Sequence, residues 1–174
     1  MNVSDAIKGR RSVRGYQSRK IETHKLDKLW EALRLAPSAC NSQPWHFVVV
    51  DDAELIRELV SACNKNHFMA EAPLIVVGCA DEAKAYPKMA GSMNTFAIDL
   101  TIAFDHLTLQ AYELGLGTCW IGSFQEDEVK RILKVPQSLR VVALTPIGYP
   151  KEVPADRGRK PWSEISSSNY YGQK

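Results

Sequence analysis

The sequence predicts one layered domain of the α/β or α+β class. Helix-period and strand-period segments are intermixed along its 174 residues, and no internal repeat or low-complexity tract interrupts them. The length suffices for one sizeable apolar core. Apolar residues make up 45% of the chain and charged residues 24%, which excludes a disordered, highly charged polypeptide.

Asn2 and Asp5 are placed to cap a short helix on which Val3 and Ile7 share a face and which Gly9 ends. Arg10, Arg11, Ser12 and Arg14 follow directly. Thr23 is the expected cap of a second helix, where Leu26, Leu29, Trp30 and Leu33 recur near every 3.6 residues and give one buried stripe ending at Pro37. Residues 47–50 read as a strand. Asp52 caps a third helix with Leu55, Ile56, Leu59 and Val60 on its apolar face, and Pro73 opens a second core strand over 74–80.

The longest helix covers roughly 94–114 and stops at Gly115. Phe96, Ala97, Leu100, Ala103, Phe104, Leu107, Ala111 and Leu114 form a stripe broad enough for more than one neighbour, as in a central core helix or a subunit interface. Gly115 and Gly117 tighten the turn into 118–122, and Ser123 with Glu126 reads as a capping box for a helix carrying Val129, Ile132 and Leu133. The last strand spans 139–147, with Pro146 marking an edge or a bulge. Residues 150–174 have too few apolar anchors for a core of their own, Trp162 and Ile165 among them, and read as an arm laid over a surface, for which a partner subunit is one candidate.

Within this frame residues 35–50, LAPSACNSQPWHFVVV, lead from the end of a helix through a Pro-, Ser- and Asn-containing loop into a strand. Ser38, Asn41, Ser42 and Gln43 offer hydroxyl and amide groups on a backbone restricted by Pro37 and Pro44, which suits a flat ring with hydrogen-bonding edges. The same residues also fit an ordinary helix-to-strand connection.

A net charge of +2 gives no argument for nucleic acid, and the basic residues lack interleaved aromatics or a recognition helix. Two local positive clusters, Arg10, Arg11 and Arg14 near the start and Arg157, Arg159 and Lys160 near the end, suggest a discrete anion instead. Arginine meets phosphate with a planar fork of donors and Ser12 adds a hydroxyl, although RRSVR alone is equally a solvated basic surface. No Gly-rich dinucleotide loop and no P-loop motif is present to hold a phosphate compound in another way. Cys40, Cys63, Cys79 and Cys119 form no C-x-x-C pair, and His24, His67 and His106 no metal-ligand spacing. Cys40 and His46 are separated by Pro44 and lack a third, orienting group for thiol catalysis. The Met-Asn start lacks the regions of a signal peptide, and the apolar segment 93–114 carries Asp99, Asp105, His106 and Glu113, so a reducing cytoplasm is expected and a membrane span is not.

Five blocks together resemble the nitroreductase family of FMN-dependent NAD(P)H oxidoreductases, in a short single-domain form. They are AIKGRRSVRGY at 6–16, APSACNSQPWHFVVV at 36–50, EAPLIVVGCA at 71–80, ELGLGTCWIGSF at 113–124 and IGYPKEVPADRGRKPWSEI at 147–165, in the family's order. The resemblance implies an α+β fold of three layers, α/β/α, with a mixed, mainly antiparallel sheet, one FMN-binding domain over 1–174, and an arm at 150–174 exchanged with the other subunit of a homodimer.

It also implies site residues. Arg10, Arg11 and Ser12 match phosphate binders, and Arg14 matches a position facing the ribityl chain or the nicotinamide donor. Pro37, Ser38, Ala39 and Asn41, with Gln43 adjacent, match a loop that crosses one flavin face, usually from the other subunit. Ile121, Gly122 and Ser123 match a stretch whose backbone amide points at flavin N5, and Arg157 and Arg159 a basic pair closing on the phosphate. Asn66 or Asn64, expected on a helix, matches an asparagine at the pyrimidine edge. No side-chain acid, base or nucleophile is required, because the flavin carries the hydride. The implied activity is ping-pong transfer from NADH or NADPH to a nitroaromatic, quinone or related small acceptor. A specialised enzyme of the same fold (dehalogenase, dehydrogenase or flavin-fragmenting) and a non-catalytic flavin-binding protein are the alternatives. Trp45 and Trp120 are open between lining the pocket and packing in the core.

Overall fold

In the computed structural model, which describes residues 2–64 and 66–173, the helices are α1 (Val3–Gly9), α2 (Thr23–Arg34), α3 (Ala53–Ser61), α4 (Phe96–Glu113), α5 (Glu126–Leu133) and α6 (Trp162–Ile165). The strands are β1 (Trp45–Val50), β2 (Leu74–Asp81), β3 (Gly117–Thr118) and β4 (Leu139–Gly148). They form one sheet in the order β1-β2-β4-β3 with every neighbouring pair antiparallel. The parallel component is an isolated bridge between Ser12 and Thr118.

The sheet lies between two helical layers, and alternation along β2 assigns its side chains to them. Leu74, Val76 and Ala80 join Leu29, Leu33, Leu100, Phe104 and Leu107 of α2 and α4, whereas Ile75, Val77 and Cys79 join Ile56, Leu59 and Val129 of α3 and α5. Covering on both faces is the reason β2 reads as an unbroken apolar run. At Gly78 a Cβ would lie 2.7 Å from Phe104 Cε2 and 2.8 Å from Leu100 Cδ2, so glycine lets α4 approach the sheet.

Local signals succeed where no tertiary partner competes. The capping box of Asn2 and Asp5 is present, and the Asp52 carboxylate accepts the Glu54 and Leu55 N–H groups. Three expectations need correction. The cap of α2 is Glu22 rather than Thr23. The capping box of Ser123 and Glu126 is absent, Gln125 occupying the cap position, because the Glu126 carboxylate instead accepts hydrogen bonds from Arg140 and the Val141 N–H. Of the two alternatives at Pro146, the bulge lies instead where Gly78 and Cys79 face β4, whereas the edge holds, since Pro146 sits in register opposite Ile75 and β3 ends before reaching it. Proline is tolerated there because β3 is two residues long and pairs with β4 only at Ile147 and Gly148, so no β3 residue stands opposite the proline ring.

Beyond Tyr149 the chain leaves the core: Trp162 is 77% exposed, Ile165 61% and Tyr170 77%. Val3, Ile7 and Leu35 also stand exposed in the single chain. No helix among the described residues is long and apolar enough to cross a membrane.

Candidate functional site

Backbone pairing unites the two arginine clusters. Val13 N–H donates to Thr118 O at 2.9 Å, Gln17 N–H to Tyr149 O at 2.8 Å and Lys151 N–H to Gly15 O at 3.0 Å. The segment after α1 is thus held between β3 and the end of β4. Tyr16, 1% exposed, locks it by donating its hydroxyl to Val13 O, and burial pushes this phenol well above its ordinary range. As a result Arg10, Arg11, Ser12 and Arg14 line a cavity of about 110 Å³ with Pro154, Ala155, Asp156, Arg157 and Arg159.

Five guanidinium groups against one carboxylate give this cavity a strong positive excess, and such a set of planar donors suits a compact oxyanion. Arg11 Nη2 pairs with Asp156 Oδ2 at 2.8 Å, while its Nη1 donates to Lys8 O and Arg10 O. The Gly158 N–H bond and then the Arg11 charge hold the Asp156 carboxyl below its usual range. Among the described residues the Arg10 and Arg157 side chains line the cavity and make no hydrogen bond within the chain.

The loop 37–43 is a second cluster. Gln43 N–H donates to Ser38 Oγ at 2.9 Å and Gln43 Nε2 to Asn41 Oδ1 at 3.0 Å. Cys40, Asn41 and Gln43 have φ of 53°, 56° and 47°, and the Ser42 hydroxyl oxygen is buried without a partner among the described residues. Non-glycine residues in the left-handed region are costly, and such strain concentrates at functional sites. The loop is fixed to the core by Ala39 N–H, which donates to Asp99 Oδ1 at 3.0 Å. Its hydrogen bonds lead to Asp99 and to itself, none to the arginine cavity among the described residues.

Ile121 is buried and bridges Leu144, while Gly122 and Ser123 are exposed. Asn64 Nδ2 donates to Ser123 Oγ at 3.3 Å, and Asn66 Nδ2 to Asn64 O at 3.2 Å. Both asparagines lie in the turn after α3 and not on a helix, so Asn64, rather than Asn66, touches the 121–123 stretch. Trp120 is 37% exposed and packs edge-on against Phe104, whereas Trp45 stacks beside Phe47 and packs against the core. Among the described residues no group of three or more His, Cys, Asp or Glu side chains could hold a metal ion.

Sequence reasoning missed Asp156, which lies one residue before the basic RGRK segment and pairs with Arg11 across 145 positions. It also missed Asp99, read as a polar interruption of an apolar helix. The one available signal was an acidic residue in the midst of an otherwise buried pattern.

The family model described as Nitroreductase family matches residues 7–65 and 59–149. A protein of Methanothermobacter thermautotrophicus, provisionally named NADH dehydrogenase/NAD(P)H nitroreductase, is 34% identical over 161 residues, covering 90% of this chain and 82% of the relative. An NAD(P)H-dependent FMN reductase of Bacillus subtilis is 26% identical, covering 97% of this chain and 74% of the relative. The crystal structure of a nitroreductase family protein from Clostridium difficile 630 superposes with a TM-score of 0.89 at 33% identity, covering 98% of this chain and 99% of that one.

Proposed function

The chain belongs to the nitroreductase family of FMN-dependent NAD(P)H oxidoreductases, and from that premise we propose that it reduces a nitroaromatic, quinone or related small acceptor. The observation that carries the reading is the cavity where Arg10, Arg11, Ser12, Arg157 and Arg159 converge, which fits the terminal phosphate of FMN. Bound FMN would supply the redox chemistry, taking hydride from NADH or NADPH and passing it to the acceptor in a ping-pong cycle.

The chain's own residues bind and orient. Arg14, which also lines the cavity, would serve the ribityl chain or the nicotinamide donor. The exposed backbone of Gly122 and Ser123, after Ile121, supplies amide donors near N5, and such donors favour a developing negative charge on the ring. Asn66 or Asn64 serves the pyrimidine edge, with the Ser123 contact favouring Asn64. Pro37, Ser38, Ala39, Asn41 and Gln43 would face the ring from a second subunit, which accords with a loop that makes no hydrogen bond to the arginine cavity of its own chain among the described residues.

The proposed assembly is a homodimer in which the whole of 1–174 is one FMN-binding domain and 150–174 is an arm exchanged between subunits. Its support is the exposed anchors Trp162 and Ile165 and the exposed Val3, Ile7 and Leu35. A reducing cytoplasm suits four free cysteines, of which Cys63, Cys79 and Cys119 are buried.

The deciding experiment mixes FMN-loaded protein anaerobically with NADH or NADPH and records flavin absorbance. Bleaching by either nucleotide and recovery on adding a quinone or a nitroaromatic are expected. Bleaching without recovery redirects the reading to a specialised reaction of the same fold. If neither nucleotide bleaches retained FMN, the protein is a flavin binder and the oxidoreductase proposal fails.

A further inference from the structure

Asp99 is a buried carboxylate that the proposed chemistry does not use. It is 2% exposed, in the first turn of α4, and both of its oxygens are engaged. Oδ1 accepts the Ala39 N–H at 3.0 Å, and Oδ2 accepts the Thr95 hydroxyl at 2.8 Å. The Thr95 oxygen in turn accepts the Tyr86 N–H at 3.1 Å, and the Thr95 N–H donates to Tyr86 O at 2.9 Å. A continuous path therefore runs from Tyr86 through Thr95 and Asp99 to Ala39.

An acidic residue near a helix start ordinarily needs no further explanation, since it offsets the helix dipole. That benefit is available at the surface, as Asp127 in the first turn of α5 shows. Burial is different. A carboxylate withdrawn from water is unfavourable unless its oxygens are satisfied, and Asp99 has no ion pair among the described residues. What it gains is two hydrogen bonds to groups that belong to separate loops.

The loop it holds is also the one under backbone strain. Cys40, Asn41 and Gln43 are left-handed, and the Ser42 oxygen is buried without a partner among the described residues. A strained conformation persists only where its surroundings over-determine it. Pro37 and Pro44 restrict the two ends, Ser38 ties the loop to itself, and Asp99 supplies the anchor outside it.

We propose that Asp99 is a positioning residue for the redox reaction, fixing loop 37–43 through the Ala39 amide and tying it through Thr95 to the connection 82–95. The inference rests on the reading that loop 37–43 faces the flavin. Hydride transfer is sensitive to sub-ångström misplacement, so an anchor of this kind acts on the rate without touching the reacting atoms.

The test compares Asp99→Ala with Asp99→Asn. Asparagine keeps an acceptor for Ala39 and an amide that donates to Thr95, whereas alanine leaves the Ala39 N–H without its acceptor. Hydrogen exchange of the peptide covering 37–43, measured with and without FMN, should accelerate by about tenfold in Asp99→Ala and by less than about threefold in Asp99→Asn. At saturating nucleotide the rate of flavin reduction should fall by about tenfold in the alanine variant, with KM changed by less than about twofold, and the asparagine variant should recover most of it. Unchanged exchange in a folded Asp99→Ala overturns the proposal. So does an equal rate defect in both variants, which would assign Asp99 to charge or packing.

If Asp99→Ala does not fold, Thr95→Val serves. Faster exchange in both 37–43 and 82–95 supports the coupling, and change confined to 82–95 overturns it. Exchange in the FMN-free protein tests the anchor independently of catalysis, whereas failure of either nucleotide to reduce wild-type FMN would strike the functional reading itself.

Discussion

Arg11 and Asp156 make the phosphate assignment quantitative. Arg11 is 21% exposed, and three of its contacts are already made, to Asp156 and to two carbonyls. Among the described residues the Arg10 side chain makes no hydrogen bond within the chain. Replacing Arg10 by Ala should remove one charge-assisted hydrogen bond at a partly open rim, about 1.5 kcal/mol or tenfold in FMN affinity. Arg11→Ala should cost more, because it also leaves the Asp156 carboxylate unpaired beside the phosphate. At a separation of about 5 Å and an effective dielectric constant near 20, one such charge pair amounts to about 3 kcal/mol before screening, and about 1 kcal/mol at an open site. The sum is about 2.5 kcal/mol, or nearly a hundredfold.

Asp156→Asn tests the other arm of the cycle. The amide oxygen still accepts the Gly158 N–H, the repulsion is gone and Arg11 is released, so FMN should bind about threefold more tightly. The variant carrying both Arg11→Ala and Asp156→Asn should resemble Arg10→Ala, with FMN bound about tenfold more weakly than in wild type, because the carboxylate that Arg11→Ala would leave unpaired is gone. Quenching of FMN fluorescence at low and moderate salt gives the constants, with the salt dependence steeper in Asp156→Asn. Affinities within twofold of wild type in both Arg10→Ala and Arg11→Ala would remove the phosphate assignment. Weaker binding in Asp156→Asn would show that the carboxylate supports the anion site instead of competing in it.

Two further outcomes follow from other parts of the chain. Burial alone would raise the Glu126 carboxyl, but hydrogen bonds from Arg140, the Val141 N–H and the buried Lys130 outweigh it and hold the pKa at about 2. Because the folded-state value is depressed, the stabilisation is present above the unfolded value of 4.5 and is lost as pH falls toward 2. The ceiling is about 3 kcal/mol, reduced to about 1–2 kcal/mol by solvent screening, so Glu126→Gln should be less stable at pH 7 by about that much in urea unfolding. The difference should vanish near pH 2; a deficit that persists there refutes the charge argument. Deleting 161–174 removes the exposed Trp162, Ile165 and Tyr170 and should reduce dimer stability and FMN retention together. Sedimentation of the full chain as a stable monomer at low micromolar concentration, with FMN fully retained, would sink the shared-site assembly.

The parts of the fold that the sequence discloses are those decided within a few residues. Asn2 with Asp5 and Asp52 cap their helices because no distant group competes for them. Glu126 departs from the capping pattern because Arg140 and Val141 reach it from β4, and nothing in the order SFQEDE reveals that strand. The register of Pro146 is equally non-local: its missing N–H is harmless because β3 stops after Thr118, which faces Ile147. Local signals therefore give element type and approximate extent, while side-chain partners depend on pairings that local sequence does not encode.

The same distinction divides the candidate site. RRS and RGR are each legible as phosphate chemistry, but their convergence depends on 15–17 pairing with 149–151, a tertiary fact. Asp156 and Asp99 were not legible because their roles lie wholly in their partners: a carboxylate beside arginines reads as solvated charge, and a carboxylate in an apolar helix reads as an interruption. In the folded chain each becomes a constraint, Asp156 on the spare charge of the cavity and Asp99 on the strained loop. The cavity is assembled from the two ends of one chain, while loop 37–43 hangs on α4 with no hydrogen bond to that cavity among the described residues. In the proposed dimer one copy's cavity and the other copy's loop would meet on the same flavin, and the exposed Trp162 and Ile165 of the arm would bury their apolar surface against the second copy.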